Sequence, residues 1–153
     1  YHDQRERVLH AVMQMLIDYV DEETIEDLIW RSKPESYTSE YFGREPTLEE
    51  QTELTKPYVV FLDAYRYWTF GRAEEEKRLE EAERRWYDSK TFKFEPDDTF
   101  KDCSRMVTMP NEGYTDEDVV RLRDEAMAAS NEFDRREQEV LENVIKYRQW
   151  MWV

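Results

Sequence analysis

The scarcity of glycine is the feature that most limits how this chain folds. Only three glycines and five prolines occur in its 153 residues. Because β-sandwiches and β-barrels need a turn residue about every 8–12 positions, these counts disfavour an all-β fold. Apolar residues recur instead at three- and four-residue steps, which is the spacing of one face of a helix. The sequence therefore predicts an all-α fold.

Two helices are predicted in the N-terminal part of the chain. Residues 5–20 place apolar side chains on one helical face and polar ones on the other. A second, shorter helix is predicted over residues 22–32, because Pro34 stops its propagation. Its apolar residues are Ile25, Leu28, Ile29 and Trp30. Residues 33–46 are predicted to be a loop that carries aromatic side chains.

Two long helices are predicted in the rest of the chain. Thr47 and Glu50 match a capping box, in which each side chain bonds to the backbone N–H of the other residue at a helix start. Pro57 interrupts that helix or opens the next one, and a helical apolar period then continues over residues 58–87. The last helix is predicted to begin at Thr115, with Asp118 as its partner, and to run for about 35 residues.

The arrangement of these helices follows from their apolar seams. The two long helices have seams of similar length, so we expect them to pack as a long antiparallel hairpin with the first two helices against them. Gly71 either kinks the first long helix or is tolerated within it at a cost of about 1 kcal/mol. Residues 89–114 are predicted to be a long irregular connection, although Phe92 and Phe94 alternate as in a short strand. The prediction is a helical bundle that forms a single acidic domain over residues 1–153.

Acidic residues greatly outnumber basic ones. The chain has 37 Asp and Glu against 22 Lys and Arg, a net charge of −15. Long-range repulsion therefore disfavours direct binding to nucleic acid or to an anionic membrane, and it favours a protein partner with a basic surface. The apolar runs are also far shorter than the ~20 residues of a membrane-spanning helix. We expect no membrane contact.

A run of acids near the end of the first helix is the main candidate for binding. Residues 18–27 contain six acids and no base, which on one helix of ~1.5 Å rise gives one charge per ~2.5 Å. Duplex DNA carries one charge per roughly 1.7 Å, so this face is predicted to imitate a phosphate backbone. With three acids further along the chain, the predicted acidic face is Asp18, Asp21, Glu22, Glu23, Glu26, Asp27, Glu49, Glu50 and Glu53. The alternative is a solvated face that only aids solubility.

Aromatic residues outside the helical seams form the second candidate contact set. They are Tyr37, Tyr41, Phe42, Trp150 and Trp152. Large aromatic side chains with polar tips are enriched at protein interfaces. Filling the core is the alternative role for these rings.

No motif for metal binding or catalysis is predicted. His2, Glu6 and His10 have a spacing that can hold zinc, but the sequence has no other histidine to complete the site. The acids Glu95, Asp97, Asp98 and Asp102 lack the ligand spacing of a calcium loop. Phosphate-binding loops and serine-nucleophile elbows are also absent. We therefore expect no metal, no cofactor and no enzymatic activity.

The chain has one cysteine, Cys103, so an internal disulfide is impossible and a cytoplasmic location is expected. These features predict a non-enzymatic acidic protein that engages the basic surface of a protein partner. Phage-type (viral) inhibitors that act as DNA mimics and block a nucleic-acid-binding machine are the class we favour. The alternative is a structural or accessory helical subunit of a larger protein assembly. The sequence is also compatible with a homodimer.

Overall fold

A computed structural model describes residues 2–97, 99 and 103–152, with side chains from residue 6 onward. The fold is mostly helical, as predicted: 76% of the chain is helical, and two helices are 41 and 35 residues long. A small two-stranded sheet accompanies them.

The elements follow one another in a simple order. The N-terminal helices are α1 (His2–Glu23), α2 (Ile25–Arg31) and α3 (Ser39–Phe42). The 41-residue helix consists of α4 (Leu48–Arg66), a π-helical segment (Tyr67–Gly71) and α5 (Arg72–Asp88). The remaining elements are β1 (Lys90–Pro96), β2 (Ser104–Pro110) and α6 (Asp116–Tyr147). Short 3₁₀ turns cover Pro34–Ser36 and Arg148–Trp150, and the second of these completes the 35-residue helix that begins with α6.

The N-terminal helices differ from the predicted boundaries. Helix α1 extends beyond residues 5–20 at both ends, whereas α2 is shorter than the predicted 22–32. Thr24 separates them, because its backbone φ of 65° and ψ of 144° cannot continue a helix. The predicted loop over 33–46 contains a 3₁₀ turn and the short helix α3.

Both predicted capping motifs are confirmed. The Glu50 N–H donates to Thr47 Oγ1 at 3.2 Å, and the Thr47 N–H donates to Glu50 Oε2 at 2.9 Å. The Asp118 N–H donates to Thr115 Oγ1 at 3.1 Å, and the Thr115 N–H donates to Asp118 Oδ2 at 3.0 Å. Each motif satisfies backbone N–H groups that the first helical turn leaves unpaired.

The expected break at Pro57 was wrong, because α4 continues through this residue. A proline inside a helix costs about 3 kcal/mol. Pro57 and Tyr58 are both buried, so core packing offsets that cost. The question left open at Gly71 is answered by a π-helical turn that ends at this residue, a wide turn of the kind that forms within α-helices.

The prediction of an irregular connection over residues 89–114 was wrong for its larger part. Strands β1 and β2 pair antiparallel, with Phe92 opposite Thr108 and Phe94 opposite Met106. The prolines that suggested a broken chain, Pro96 and Pro110, stand at the last positions of the two strands. A proline at a strand end interrupts little of the hydrogen-bond ladder, so it limits a strand without excluding it.

The chain divides into two compact units. The first unit comprises residues 1–73 and 136–153, and the second comprises residues 74–135. In the first unit, α1, α2, α4 and the end of α6 share one apolar core. The fully buried large side chains of that core are Met13, Leu16, Tyr19, Leu28, Phe61, Val144 and Met151. The prediction of a single domain over 1–153 stays a prediction.

The second unit buries much smaller side chains. Its buried apolar residues among those described are Ala82, Leu122 and Ala126. Helix α5 and the first part of α6 are linked there by an ion pair between Arg85 and Glu125, with 3.7 Å between nitrogen and oxygen. The two strands form an antiparallel ribbon at the end of α5.

Candidate acidic and aromatic interface

The acids of residues 18–27 do not lie on one helix. Asp18, Asp21 and Glu22 belong to the end of α1, whereas Glu26 and Asp27 belong to the first turn of α2. The break at Thr24 interrupts the regular spacing of charges that the sequence predicted. The comparison with the charge density of duplex DNA was therefore wrong in its geometry.

Five of these six acids are nevertheless exposed to solvent. Glu23 is half-buried and pairs with Arg31 at 2.9 Å. The other five acids are exposed: Asp18, Asp21, Glu22, Glu26 and Asp27. Among the side chains that the structure describes, no lysine or arginine pairs with any of them. The end of α1 and the first turn of α2 consequently carry five negative charges without a described ion pair.

Helix stability explains the acids of α2 but not those that end α1. Glu26 and Asp27 lie in the first turn of α2, where a negative charge is favoured by the helix dipole. The last turn of α1 has no base and carries Asp21 and Glu22, where each negative charge opposes the dipole by roughly 0.3–1 kcal/mol. The acids at the end of α1 therefore need an explanation outside the helix.

Trp152 lies against this acidic surface. Its indole Nε1–H donates to Glu22 Oε2 at 3.2 Å, and its ring meets the edge of Tyr19 at 5.9 Å between centroids. The side chain is still 58% exposed. The structure thus brings together two of the residues predicted to bind, which are 130 positions apart. Trp150, by contrast, is half-buried and packs against the core.

Tyr37 is a correction to the predicted contact set. The side chain is only 6% exposed, and its hydroxyl donates to the backbone oxygen of Arg31 at 3.1 Å. Burial, with Tyr58 nearby, raises the pKa of Tyr37 to about 12. The ring of Tyr37 lies between those of Trp30 and Tyr41, with centroid distances of 6.2 and 5.4 Å, so it supports the exposed ring of Tyr41.

A cleft at the start of α4 unites the remaining predicted residues. It is open, has a volume of about 590 Å³, and is lined by Tyr41, Phe42, Thr47, Glu49, Glu50, Glu53 and Leu54. Two aromatic rings and three carboxylates that were predicted from separate parts of the sequence therefore share one surface. We refer to it as the α4 cleft.

A cation of the chain itself contacts two residues that line the α4 cleft. The Arg44 guanidinium pairs with Glu50 and lies 5.9 Å from the centre of the Phe42 ring. The hydrogen bond from Arg44, together with that from the Thr47 backbone, lowers the pKa of Glu50 to about 2. Lys56 pairs with Glu53, whereas Glu49 is exposed. An aromatic face beside a carboxylate is an arrangement that binds guanidinium and ammonium groups.

Sequence reasoning missed Trp30 as an exposed aromatic residue. It was counted among the apolar residues of the second helix, but it is 56% exposed. Leu28 faces the core, and two residues further along a helix the direction has turned by about 200°. That rotation is a signal in the sequence. The Trp30 ring contacts Tyr37 at 6.2 Å, so a continuous series of rings runs from Trp30 to the α4 cleft.

The candidate metal ligands lie partly outside the residues that the structure describes. His10 packs edge-on against Trp68 at 4.9 Å, while the side chain of His2 lies outside the part that the structure describes. Asp98 and Asp102 also lie outside the described residues. Among those that are described, no group of three His, Cys, Asp or Glu side chains has the geometry of a metal site. Cys103 is exposed.

Comparison with protein-family models, with curated proteins and with solved structures finds no match to this chain. Among the residues that the structure describes, no helix combines the length and the apolar character that membrane spanning requires.

Proposed function

We propose that this protein is a non-enzymatic, acidic binding protein that engages a basic surface of a protein partner. The α4 cleft is the observation that carries the proposal. It places Tyr41 and Phe42 beside Glu49 and Glu50, and an arginine of the chain itself contacts two of these residues. An arginine or lysine of a partner would meet the same ring faces and carboxylates, worth about 0.5–2 kcal/mol for each cation–π contact.

The exposed acids at the end of α1 and the start of α2, which pair with no described lysine or arginine, support the same interpretation. Five exposed carboxylates without a described cation, in a chain of net charge −15, attract a basic surface over long range. Proteins that bind nucleic acid present such surfaces. We therefore favour a phage-type inhibitor that occupies the nucleic-acid site of a cytoplasmic partner, without binding nucleic acid itself.

The antiparallel helix hairpin is part of the proposal. Within the second unit, Glu75 and Leu79 of α5 line one cleft with Ala129 and Phe133 of α6. Further along α5, Arg85 pairs with Glu125, an earlier residue of α6. The residue numbers rise on one helix as they fall on the other, which supports an antiparallel pair. Distances between spin labels placed along both long helices would test whether this pairing extends over their full length.

Matched charge reversals test the binding function. The site variant combines Asp21→Lys, Glu26→Lys and Glu49→Lys, all at exposed positions of the first unit. The control variant combines Glu80→Lys, Glu83→Lys and Glu117→Lys, exposed positions of the second unit that give the same change in net charge. Each protein is used as bait in a cell extract at about 50 and about 300 mM salt, with and without duplex DNA, and captured proteins are quantified by mass spectrometry.

The proposal predicts that basic nucleic-acid-binding proteins are captured at low salt, are released at high salt, and are displaced by DNA. The site variant should lose about tenfold or more of this capture, because long-range attraction and ion pairs are both reversed. The control variant should retain it. Capture that survives both high salt and the site variant contradicts the proposal.

A structural or accessory subunit is the second candidate function, and the ribbon favours it. Phe94 is 70% exposed and Met106 is 59% exposed on the same face, opposite each other across the strands. A two-stranded sheet alone is marginally stable, so an exposed apolar face is suited to packing against another chain. In this case Phe94→Ser with Met106→Ser should abolish salt-resistant association, and the charge reversals should have little effect.

A further inference from the structure

A small cleft in the second unit has a charge opposite to that of the protein as a whole. It has a volume of about 230 Å³ and lies between the end of α5, the base of the ribbon and the first turns of α6. Two of its lining residues, Lys90 and Arg123, are basic, and one, Asp116, is acidic. Trp86, Pro110 and Val119 give it apolar walls. We refer to it as the Lys90 cleft.

Lys90 is held rigidly in this cleft. Its residue is only 8% exposed, although lysine is among the residues least often buried. The ammonium nitrogen lies 3.4 Å from the centre of the Trp86 ring and 4.7 Å from that of Phe92. The backbone is fixed on both sides, because the Asn111 N–H donates to Ser89 O at 2.9 Å and Lys90 pairs with Pro110 across the strands.

The ammonium group of Lys90 lies against the faces of aromatic rings. No aspartate or glutamate side chain among the described residues forms an ion pair with it, and Arg123 is close enough to repel it. Burial, with a smaller contribution from Arg123, lowers the pKa of Lys90 below its ordinary value. A buried cation that lacks a counter-ion is costly, so an anion that enters the cleft gains more here than at the surface.

The balance of charges in the cleft indicates the charge of its ligand. Arg123 is already paired with Asp124 at 2.9 Å, and Asp116 is a further negative group in the wall. Lys90 is the basic residue of the lining that has no ion pair with a described side chain. A ligand with one negative charge suits Lys90, whereas Asp116 would repel a phosphate dianion about twice as strongly as a monoanion.

The size and the walls of the cleft indicate the rest of the ligand. A volume of about 230 Å³ corresponds to roughly eight water molecules at ~30 Å³ each, which suits an organic acid of about ten non-hydrogen atoms. The indole of Trp86 and the side chains of Pro110 and Val119 suit an apolar body. Thr108, also in the wall, offers a hydroxyl group to the carboxylate.

We propose that the Lys90 cleft binds a small monocarboxylate with an apolar body, its carboxylate on Lys90 and its body against Trp86, Pro110 and Val119. The proposal is independent of the acidic interface of the first unit. It gives the second unit a ligand of opposite charge to the one proposed for the first.

Phenylacetate is a suitable probe, because it has ten non-hydrogen atoms, one negative charge and an aromatic body. Titration into the full chain, followed by the amide and indole signals of Lys90 and Trp86 in nuclear magnetic resonance spectra, should give saturable shifts. Phenylacetamide has the same shape without the charge, and its affinity should be at least about tenfold lower than that of phenylacetate. Inorganic phosphate and acetate test the charge and the apolar body separately, and both should bind more weakly than phenylacetate.

Two lysines of the same strand give a matched pair of variants. Lys90→Gln should weaken phenylacetate binding by about tenfold or more. Lys93→Gln should change it less than about twofold, because that side chain is 60% exposed and pairs with Glu95 on the other face of the ribbon. Lys90→Arg keeps the charge and should retain more phenylacetate binding than Lys90→Gln. If Lys90→Gln unfolds the second unit, the affinity of Lys90→Arg for phenylacetate relative to phenylacetamide tests the role of the charge.

The proposal is overturned by any of three results. Phenylacetate gives no saturable shift up to about 20 mM, a concentration at which even a weak ligand of this size is detected. Phenylacetamide or inorganic phosphate binds as tightly as phenylacetate. Lys93→Gln weakens binding as much as Lys90→Gln does.

Discussion

The two compact units differ in what they bury. In the first unit, Tyr19 and Phe61 are completely buried, whereas in the second the largest buried apolar side chain described is that of Leu122. The second unit instead exposes large apolar side chains, among them Phe94 at 70%. Because buried apolar area contributes about 25 cal/mol per Å², most of the stability from burial belongs to the first unit.

The exposed aromatic residues of the two units therefore have different surroundings. In the first unit, Trp30, Tyr41 and Trp152 remain exposed beside a core that large side chains already fill. They are not needed for that core and are available for binding. The second unit has both a core of few buried apolar side chains and an exposed apolar face on its ribbon, so its exposed rings are less readily explained as surplus to a filled core.

Core truncations should give the largest effect and test the comparison directly. Phe61→Ala should lower the free energy of unfolding by about 3–5 kcal/mol, because it opens a cavity among fully buried side chains. Phe94→Ala should change it by less than about 0.5 kcal/mol, since that ring is largely in water. Urea unfolding measures both. A larger loss of unfolding free energy from Phe94→Ala than from Phe61→Ala would contradict the difference in burial between the two units.

Ion pairs should show a smaller difference of the same kind. Arg72 Nε lies 2.8 Å from Glu137 Oε1 in the first unit, and the two side chains are 20% and 9% exposed. Arg72→Ala leaves a buried carboxylate without this donor and should cost about 1–3 kcal/mol. Arg84→Ala removes second-unit pairs whose side chains are more than half exposed, and should cost less than about 1 kcal/mol. Equal losses in thermal unfolding would contradict the difference in burial.

Backbone substitutions should have effects near 1 kcal/mol. Thr24 has a φ of 65°, which is strained for a β-branched residue, and its side chain is exposed. Thr24→Gly should therefore stabilise the protein by about 1 kcal/mol. Gly43→Ala and Gly113→Ala should each destabilise it by about 1 kcal/mol, because both glycines have positive φ. No neighbour lies within 4 Å of an added Cβ, so the cost is that of the backbone conformation alone. Destabilisation by Thr24→Gly in thermal unfolding would show that the Thr24 backbone is not strained.

The capping carboxylates should show the smallest effect, and a similar one in both units. The pKa of Glu50 is about 2, below its ordinary 4.5, so its contribution to stability is full above pH 4.5 and is lost as the pH falls toward 2. Bonds from Thr115 and Arg121 likewise lower the pKa of Asp118. Carbon-detected magnetic resonance titration should find both carboxyls still ionised where exposed acids are protonated. In Glu50→Gln the acid-dependent loss of stability between pH 4.5 and 2 should be reduced. An ordinary pKa at Glu50 would mean that its bonds with Arg44 and Thr47 are not formed in solution, and an ordinary pKa at Asp118 would mean the same of its bonds with Thr115 and Arg121.

Many residues of the candidate site could be predicted from the sequence, but their positions relative to one another could not. Composition and charge identified Glu49, Tyr41 and Trp152 as candidate contacts, and the structure leaves all three exposed. Tyr37 was misread because exposure of a ring in a loop depends on what packs over it. Trp30 was missed because it was grouped with the neighbouring apolar residues of its helix. The direction of its side chain around the helix axis was not considered.

The sequence alone predicted the mostly helical fold and the capped starts of the two long helices, because these depend on residues within about four positions of one another. Repeated apolar spacing and the pairs Thr47 with Glu50 and Thr115 with Asp118 are local, and they form as predicted. Tertiary structure decided the rest: the continuation of α4 through Pro57, the pairing of β1 with β2, and the contact of Trp152 with Glu22. Each of these depends on packing between residues distant in the chain, where the entropy lost on closing a loop is recovered only by burial and hydrogen bonds that no short pattern records.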